Sequence, residues 1–226
     1  MYRYFSKEKT LQNHIQFQSK RASLRVCTKK LLRKQRSALF LDIDGTIWPD
    51  SGKSLMLGDL VLDHSIQWSI MNIRKHFDFL ILITNQSLFA QMVNIDTKDI
   101  RRYSKNISAL HRLLRFDLFL VCHHHPHAQN RNFRFLCNYR KPGSEMFTLA
   151  QEILNLDLKK CIMIGDRITD VIAATDAGIV NNFIVKNANV FYRNEGANEP
   201  KRPLYPFRLT TSIEEVFQKL SESIHA

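Results

Sequence analysis

Two acids two positions apart, Asp42 and Asp44, end an apolar run from Ala38 to Ile43 and are followed at once by Gly45 and Thr46. Carboxylates so placed can divide nucleophilic attack and proton transfer between them, and the glycine permits a tight turn of the chain around them. Three further segments carry polar groups in the same style. Thr84-Asn85-Gln86-Ser87 closes a second apolar run, Arg140-Lys141-Pro142 precedes a helical pattern, and Gly165-Asp166-Arg167 with Asp170 follows a third run. The set holds what phosphoryl transfer requires: a carboxylate nucleophile, a second carboxyl for the proton, oxygen ligands for Mg²⁺, donors for the phosphate oxygens and a cation for their charge. Each segment alone has a plainer reading, since strand-end aspartates cap helices and Gly-Asp pairs make turns. Their succession at the ends of strands is what favours a site. Ser51-Gly52-Lys53-Ser54 lacks the earlier glycine of a phosphate-binding loop and reads as a solvated loop.

These groups meet only if the elements carrying them form one parallel sheet. Ala38 to Ile43, Phe79 to Thr84, Leu118 to Val121, Cys161 to Ile164 and Phe183 to Val185 read as buried strands. Between them, Ile66, Ile70 and Ile73 recur at helical spacing. Thr97 is placed as an N-cap with Asp99 in the first turn, ahead of a stripe formed by Ile100, Tyr103, Ile107, Leu110 and Leu114. Met146, Phe147, Ala150 and Ile153 mark another helix, and Val171 to Ala177 one that stops at Gly178. Ser212 and Glu215 form a capping-box pattern before Ile213, Val216, Phe217 and Leu220. The alternation predicts an α/β fold, a Rossmann-like parallel sheet with helices on both faces and functional groups beyond the carboxyl ends of its strands. Asp42 and Thr84 are 42 residues apart, and Thr84 and Lys141 57 apart, so the sheet's own elements use up the intervals and no large cap domain fits.

The chain of 226 residues, 44% hydrophobic and 24% charged, has the length for one well-filled core. Its net charge of +12 is unevenly spread: residues 1–36 hold eleven Lys or Arg against the single acid Glu8. The remaining 22 basic and 20 acidic residues nearly balance. This divides the chain into a basic N-terminal arm, 1–36, with no clear helical stripe, and a domain spanning 37–226. The arm suits a polyanion, so nucleic acid is an expected partner beside a small phosphorylated metabolite. No run approaches the ~20 apolar residues of a membrane span. Four irregularly spaced cysteines, Cys27, Cys122, Cys137 and Cys161, make no disulfide framework and imply a reducing, cytoplasmic setting.

From about Ser37 to the C-terminal helix the sequence resembles the haloacid dehalogenase superfamily, and within it the histidinol-phosphate and D-glycero-D-manno-heptose-1,7-bisphosphate phosphatases. The resemblance implies that Asp42 forms an aspartyl-phosphate, that Asp44 is the general acid and base, and that Thr84 and Lys141 bind and neutralise the phosphoryl group. It implies Mg²⁺ held by Asp42, Asp166 and the main-chain carbonyl of Asp44, with Asn85, Gln86 and Arg140 contacting substrate. Four of the nine histidines lie in Cys122-His123-His124-His125-Pro126-His127. In the heptose-bisphosphate branch such a loop holds structural Zn²⁺, and Cys122, His124 and Cys137 match three of its ligands. The fourth position is Tyr139, so tetrahedral closure would fall to His125 or His127. Ser87-Leu88-Phe89-Ala90 replaces a glycine-containing turn of the relatives, which implies an altered substrate loop. Tyr139-Arg140-Lys141-Pro142 also resembles the polynucleotide 3'-phosphatases. A sugar phosphate is the leading substrate; histidinol phosphate or a 3'-phosphate terminus follows, and a nucleic-acid-binding module on a catalytic scaffold is the non-enzymatic alternative.

Overall fold

Strands buried on both faces must be apolar at every position, and the short Leu, Ile and Phe runs meet that demand. The structure, a computed structural model, describes residues 15–18, 35–48, 62–185 and 205–225. In chain order its main elements are β1 (Ile15–Gln18), β2 (Ala38–Leu41), α1 (His64–Ile73), β3 (Phe79–Asn85), α2 (Leu88–Gln91), α3 (Thr97–Leu114) and β4 (Leu118–Cys122). There follow α4 (Glu145–Leu154), β5 (Ile162–Gly165), α5 (Ile168–Ala177), β6 (Asn181–Val185), β7 (Arg208–Thr210) and α6 (Ile213–His225). The strands form one seven-stranded sheet in the order β1-β4-β3-β2-β5-β6-β7, and every pair is parallel except β1 with β4.

The chain leaves β2 toward β3 and β4 on one side and returns to β5, β6 and β7 on the other. That reversal opens a crevice at the carboxyl ends of β2, β3 and β5. Alternation along each strand fills two cores. Leu39, Leu41, Leu80 and Leu82 face α1, α3 and α6 through Ile70, Leu110 and Val216. Ala38, Phe40, Ile81 and Ile83 face α4 and α5 through Phe147, Ala150 and Ala174. The predicted three-layer α/β architecture is therefore present, and the described residues include no inserted cap domain. No helix among them is long and apolar enough to cross a membrane.

Two local expectations shift. The N-cap of α3 is Asp96 rather than Thr97: Asp96 accepts from the Lys98 amide and Asp99 reaches back to the Asp96 amide, so two carboxylates close a reciprocal box that a hydroxyl one position later cannot make. The arm assigned to 1–36 also enters the domain at two points. Ile15–Gln18 pairs antiparallel with β4, and Arg36 forms an ion pair of 3.1 Å with Asp78. Four residues of alternating type are too few to show as a strand, yet they satisfy the open edge of β4. Residues 1–14 and 19–34 of the arm, Cys27 among them, and the Ser51 to Ser54 segment lie outside the described residues.

Burial also joins α1 to the sheet. Arg74 donates to the carbonyls of Leu114 and Arg115 at 2.8 and 2.7 Å and pairs with Asp117 at 3.3 Å, while Asp117 accepts the Leu80 amide at 3.0 Å. Asp117 is 1% exposed, so its removal strands a buried guanidinium and a strand amide. Asp117→Ala should therefore lower stability by about 3–5 kcal/mol in a urea titration. A loss below 1 kcal/mol, on the order of a surface pair, would show that the pair does not hold α1.

Candidate active site

At the end of β2 the amide of Asp42 still donates to Ile164 on β5, at 3.0 Å, so sheet pairing fixes the first acid. The chain then turns sharply: the amides of Thr46, Ile47 and Trp48 all donate to the Ile43 carbonyl. Gly45 takes φ 83° there, and a Cβ on it would run into the Asp166 carboxylate. The glycine that permits the turn therefore also makes room for an acid from the neighbouring strand.

Lys141 reaches the same point from the loop before α4. Its Nζ lies 2.6 Å from Asp42 Oδ1 and 2.5 Å from Asp170 Oδ1, and it donates to the Ile83 carbonyl at 3.0 Å. Burial disfavours its charge, but Asp170 and Asp42 outweigh that and hold the ammonium above its ordinary range. Asn85, at the end of β3, grips the backbone of this lysine with both ends of its amide, donating to Lys141 O at 2.9 Å and accepting from Lys141 N at 3.1 Å. Asn85 was expected to contact substrate; although it borders the cavity, the bonds it makes position the lysine.

Asp42, Asp166 and Asp170 present carboxylate oxygens all within 4.8 Å of one another. Burial pushes Asp42 up to about 7, with Asp170 and Asp44 adding to the rise and Lys141 opposing it. Burial likewise pushes Asp166 up to about 8, with Asp42 and Asp170 behind it and Arg167 and Lys141 against. Neither side-chain oxygen of Asp166 has a hydrogen-bond partner among the described residues, and its nearest ion pair is Arg167 Nε at 3.8 Å. Three buried acids against one ammonium, with two orphaned oxygens, fit a hard divalent cation such as Mg²⁺. The sequence pointed to Asp42, Asp166 and the Asp44 carbonyl as ligands and gave Asp170 no role. Asp170 in fact does two things: Oδ1 pairs with Lys141, and Oδ2 accepts the Arg167 amide at 3.0 Å as the capping acid of α5. An acid at the third position of a helix beginning beyond a site strand was the available signal. Gly165 is needed beside it, since a Cβ there would strike its carboxylate.

Asp44 is held separately. Gln86 Nε2 donates to Asp44 Oδ2 and, at 3.2 Å, to Thr84 Oγ1. Thr84 is buried and borders the cavity with Asp42, Asp44 and Lys141. Gln86 is 3% exposed, and the bonds its amide makes orient two neighbours, Asp44 and Thr84. Arg140 does line the cavity and donates to the His124 carbonyl at 3.2 Å. The cavity measures about 910 Å³, and Arg167, His125 and His127 add donors to its more exposed wall. The four segments separated in sequence are thus brought to one place.

A second cluster lies at the end of β4. Cys122 Sγ and Cys137 Sγ are 3.8 Å apart, and His124 Nδ1 is 3.2 Å from Cys137 and 3.7 Å from Cys122. A tetrahedral Zn²⁺ with Zn–S near 2.3 Å puts its sulfurs about 3.8 Å apart, so the three side chains fit three corners. The contact with Cys137, then burial, pushes the Cys122 thiol up. The expected closure by His125 or His127 is not made: His125 Nδ1 instead accepts the His127 amide at 3.1 Å, and neither ring joins the cluster. Tyr139 packs against the α4–α5 core.

Comparison with known proteins agrees with this geometry. The family model described as HAD-hydrolase-like matches residues 138–190. The D-glycero-beta-D-manno-heptose-1,7-bisphosphate 7-phosphatase of Photorhabdus laumondii is 32% identical over 151 residues, covering 66% of this chain and 80% of that protein. The protein of the same name from Escherichia coli K12 is 27% identical over 157 residues, covering 69% and 82%. Among solved structures, the D,D-heptose 1,7-bisphosphate phosphatase from B. bronchiseptica, complexed with magnesium and phosphate, superposes with a TM-score of 0.63 at 22% identity. The match covers 83% of this chain and 99% of that one.

A cation that binds only the folded acid cluster must stabilise the fold by mass action. Millimolar Mg²⁺ should raise the melting temperature of the wild type, and Asp166→Ala should abolish the rise. A wild-type midpoint indifferent to Mg²⁺ would remove the metal assignment.

Proposed function

The chain belongs to the haloacid dehalogenase superfamily of phosphatases, and from that premise we propose that it is a Mg²⁺-dependent phosphomonoester hydrolase acting on a heptose bisphosphate or similar sugar phosphate. The observation that carries the reading is the buried Lys141 paired with Asp42, beside an Asp44 oriented by Gln86. The hydrogen bond described for the Asp42 side chain falls on Oδ1, which leaves Oδ2 to attack phosphorus. A bond forms between that oxygen and phosphorus while the ester bond to the sugar oxygen breaks, and Asp44 gives its proton to the departing alkoxide. Water then attacks the aspartyl-phosphate, Asp44 takes its proton, and inorganic phosphate leaves with Asp42 restored. Thr84 and Lys141 bind the phosphoryl oxygens through both steps. Asp42 and Asp166, beside Asp170, would hold Mg²⁺, which when bound would add positive charge toward those oxygens. Carbohydrate metabolism follows from the substrate class, and Cys122, Cys137 and Cys161, none of them in a disulfide, suit a cytoplasmic setting. We further infer a structural Zn²⁺ on Cys122, His124 and Cys137, completed by water.

Asp42→Asn keeps the shape and removes the nucleophile, so it should abolish hydrolysis while leaving the fold unchanged by circular dichroism. The decisive assay supplies Mg²⁺ and a panel of D-glycero-D-manno-heptose 1,7-bisphosphate, histidinol phosphate and a 3'-phosphorylated oligonucleotide. The heptose ester should give the highest kcat/KM. Preference for the oligonucleotide, with a steep salt dependence, would replace the sugar by nucleic acid and give the basic arm its partner. Retained turnover in Asp42→Asn would refute the covalent route. Metal analysis of protein purified without a His tag should find one equivalent of zinc; a zinc-free, stable and active sample would refute that inference.

A further inference from the structure

The first histidine of the loop after β4 takes no part in the sulfur cluster. Register pairs Asn85 with Cys122 at the end of β3 and β4, and the Gln86 amide extends the ladder by donating to the Cys122 carbonyl at 2.9 Å. One residue on, His123 turns back, and its Nδ1 lies 2.9 Å from the Gln86 carbonyl oxygen. A carbonyl only accepts, so Nδ1 carries a hydrogen. The peptide groups flanking Gln86 are therefore tied to β4 on both sides. The imidazole is fixed in turn by aromatic rings, edge-on to Phe89 at 5.1 Å, Tyr103 at 5.6 Å and Phe133 at 6.4 Å.

What the clamp holds is the amide that orients the acid. Gln86 Nε2 can only donate, so Asp44 Oδ2 is the accepting oxygen and the proton of the acid form resides on Oδ1. The same nitrogen donates to Thr84 Oγ1, which ties the acid to the hydroxyl proposed to bind the phosphoryl group. A tilt of the Gln86 backbone would be transmitted to both groups, and small misplacements near a reacting centre cost large factors in rate.

We propose that His123 is a positioning residue for proton transfer, holding Gln86 so that Asp44 presents its proton to the leaving oxygen. The role rests on the phosphatase reading above and goes beyond it by assigning a group outside the cavity wall. It predicts a dependence on the leaving group. An alkoxide needs the proton in the transition state, whereas 4-nitrophenolate leaves without much help.

The test measures kcat/KM, which reports steps up to phosphoryl transfer, on a sugar phosphate and on 4-nitrophenyl phosphate. His123→Phe keeps an aromatic ring and removes the donor. It should lose about tenfold or more on the sugar phosphate and less than about threefold on the aryl ester, within the range of acid–base contributions. His123→Asn places an amide nitrogen close to where Nδ1 stood and should recover most of the loss. Adding His123→Phe to Asp44→Asn should cost nothing further, because the acid it serves is gone. Equal losses on both esters, or no loss on either, would overturn the positioning role while the wild-type activity left the phosphatase reading standing. A wild type inactive on both esters would overturn that reading and this proposal with it.

Discussion

A lysine ammonium that is 4% exposed must be paired on every side that water has left, and Lys141 finds its partners on three separate elements. Asp42 comes from the end of β2, the Ile83 carbonyl from β3, and Asp170 from the first turn of α5. One charge thereby sets the relative height of two strands and a helix at the point where the sheet reverses direction. Such a buried cluster is a poor source of net stability, since desolvation offsets most of the attraction. Stability comes from the two apolar layers, and the cluster persists on top of them because phosphoryl chemistry needs charge in a dry place. The crowding of Asp42, Asp166 and Asp170 is the same argument with the opposite sign: their mutual repulsion is tolerable where a cation joins Lys141 in neutralising them.

Space is the second constraint, and two glycines meet it. Gly45 lets the Asp166 carboxylate lie against the turn after β2, and Gly165 lets the Asp170 carboxylate lie against β5. A methyl group at either place would drive an acid away from the cluster. The turn glycine was legible as a conformational device; its steric duty toward a residue 121 positions later was not.

The sheet was readable because buried strands must be apolar throughout; the acids and Thr84 stood out because they interrupt that pattern at its ends, and Lys141 because it sits in a basic pair ahead of a helix. What escaped reading is what depends on three-dimensional neighbours. Nothing in Thr84-Asn85-Gln86 says that Asn85 will brace a lysine backbone or that Gln86 will bridge Thr84 and Asp44. Asp170 was given no role because its position in the first turn of α5 shows only its capping oxygen; the other oxygen pairs with Lys141. The edge strand Ile15–Gln18 was hidden for a different reason, since its partner lies about a hundred residues away and four alternating residues are a weak local signal.

Between β4 and α4 the chain carries two cations of the site, Arg140 and Lys141, and its geometry shows why they need anchoring. Arg140 and Lys141 stand in a loop, where backbone entropy would otherwise spread them over many positions. The loop is closed on itself through the Cys137 carbonyl, which accepts the Arg140 amide at 2.9 Å, and through Arg140, which donates to the His124 carbonyl at 3.2 Å. Asn85 then fixes the Lys141 main chain from the sheet. The Cys122, His124 and Cys137 cluster sits where these ties begin, so whatever occupies it acts on Lys141 only through the loop. Tyr139 packs against the α4–α5 core, so the loop gains apolar contact there. The cations are thus held by packing and hydrogen bonds together.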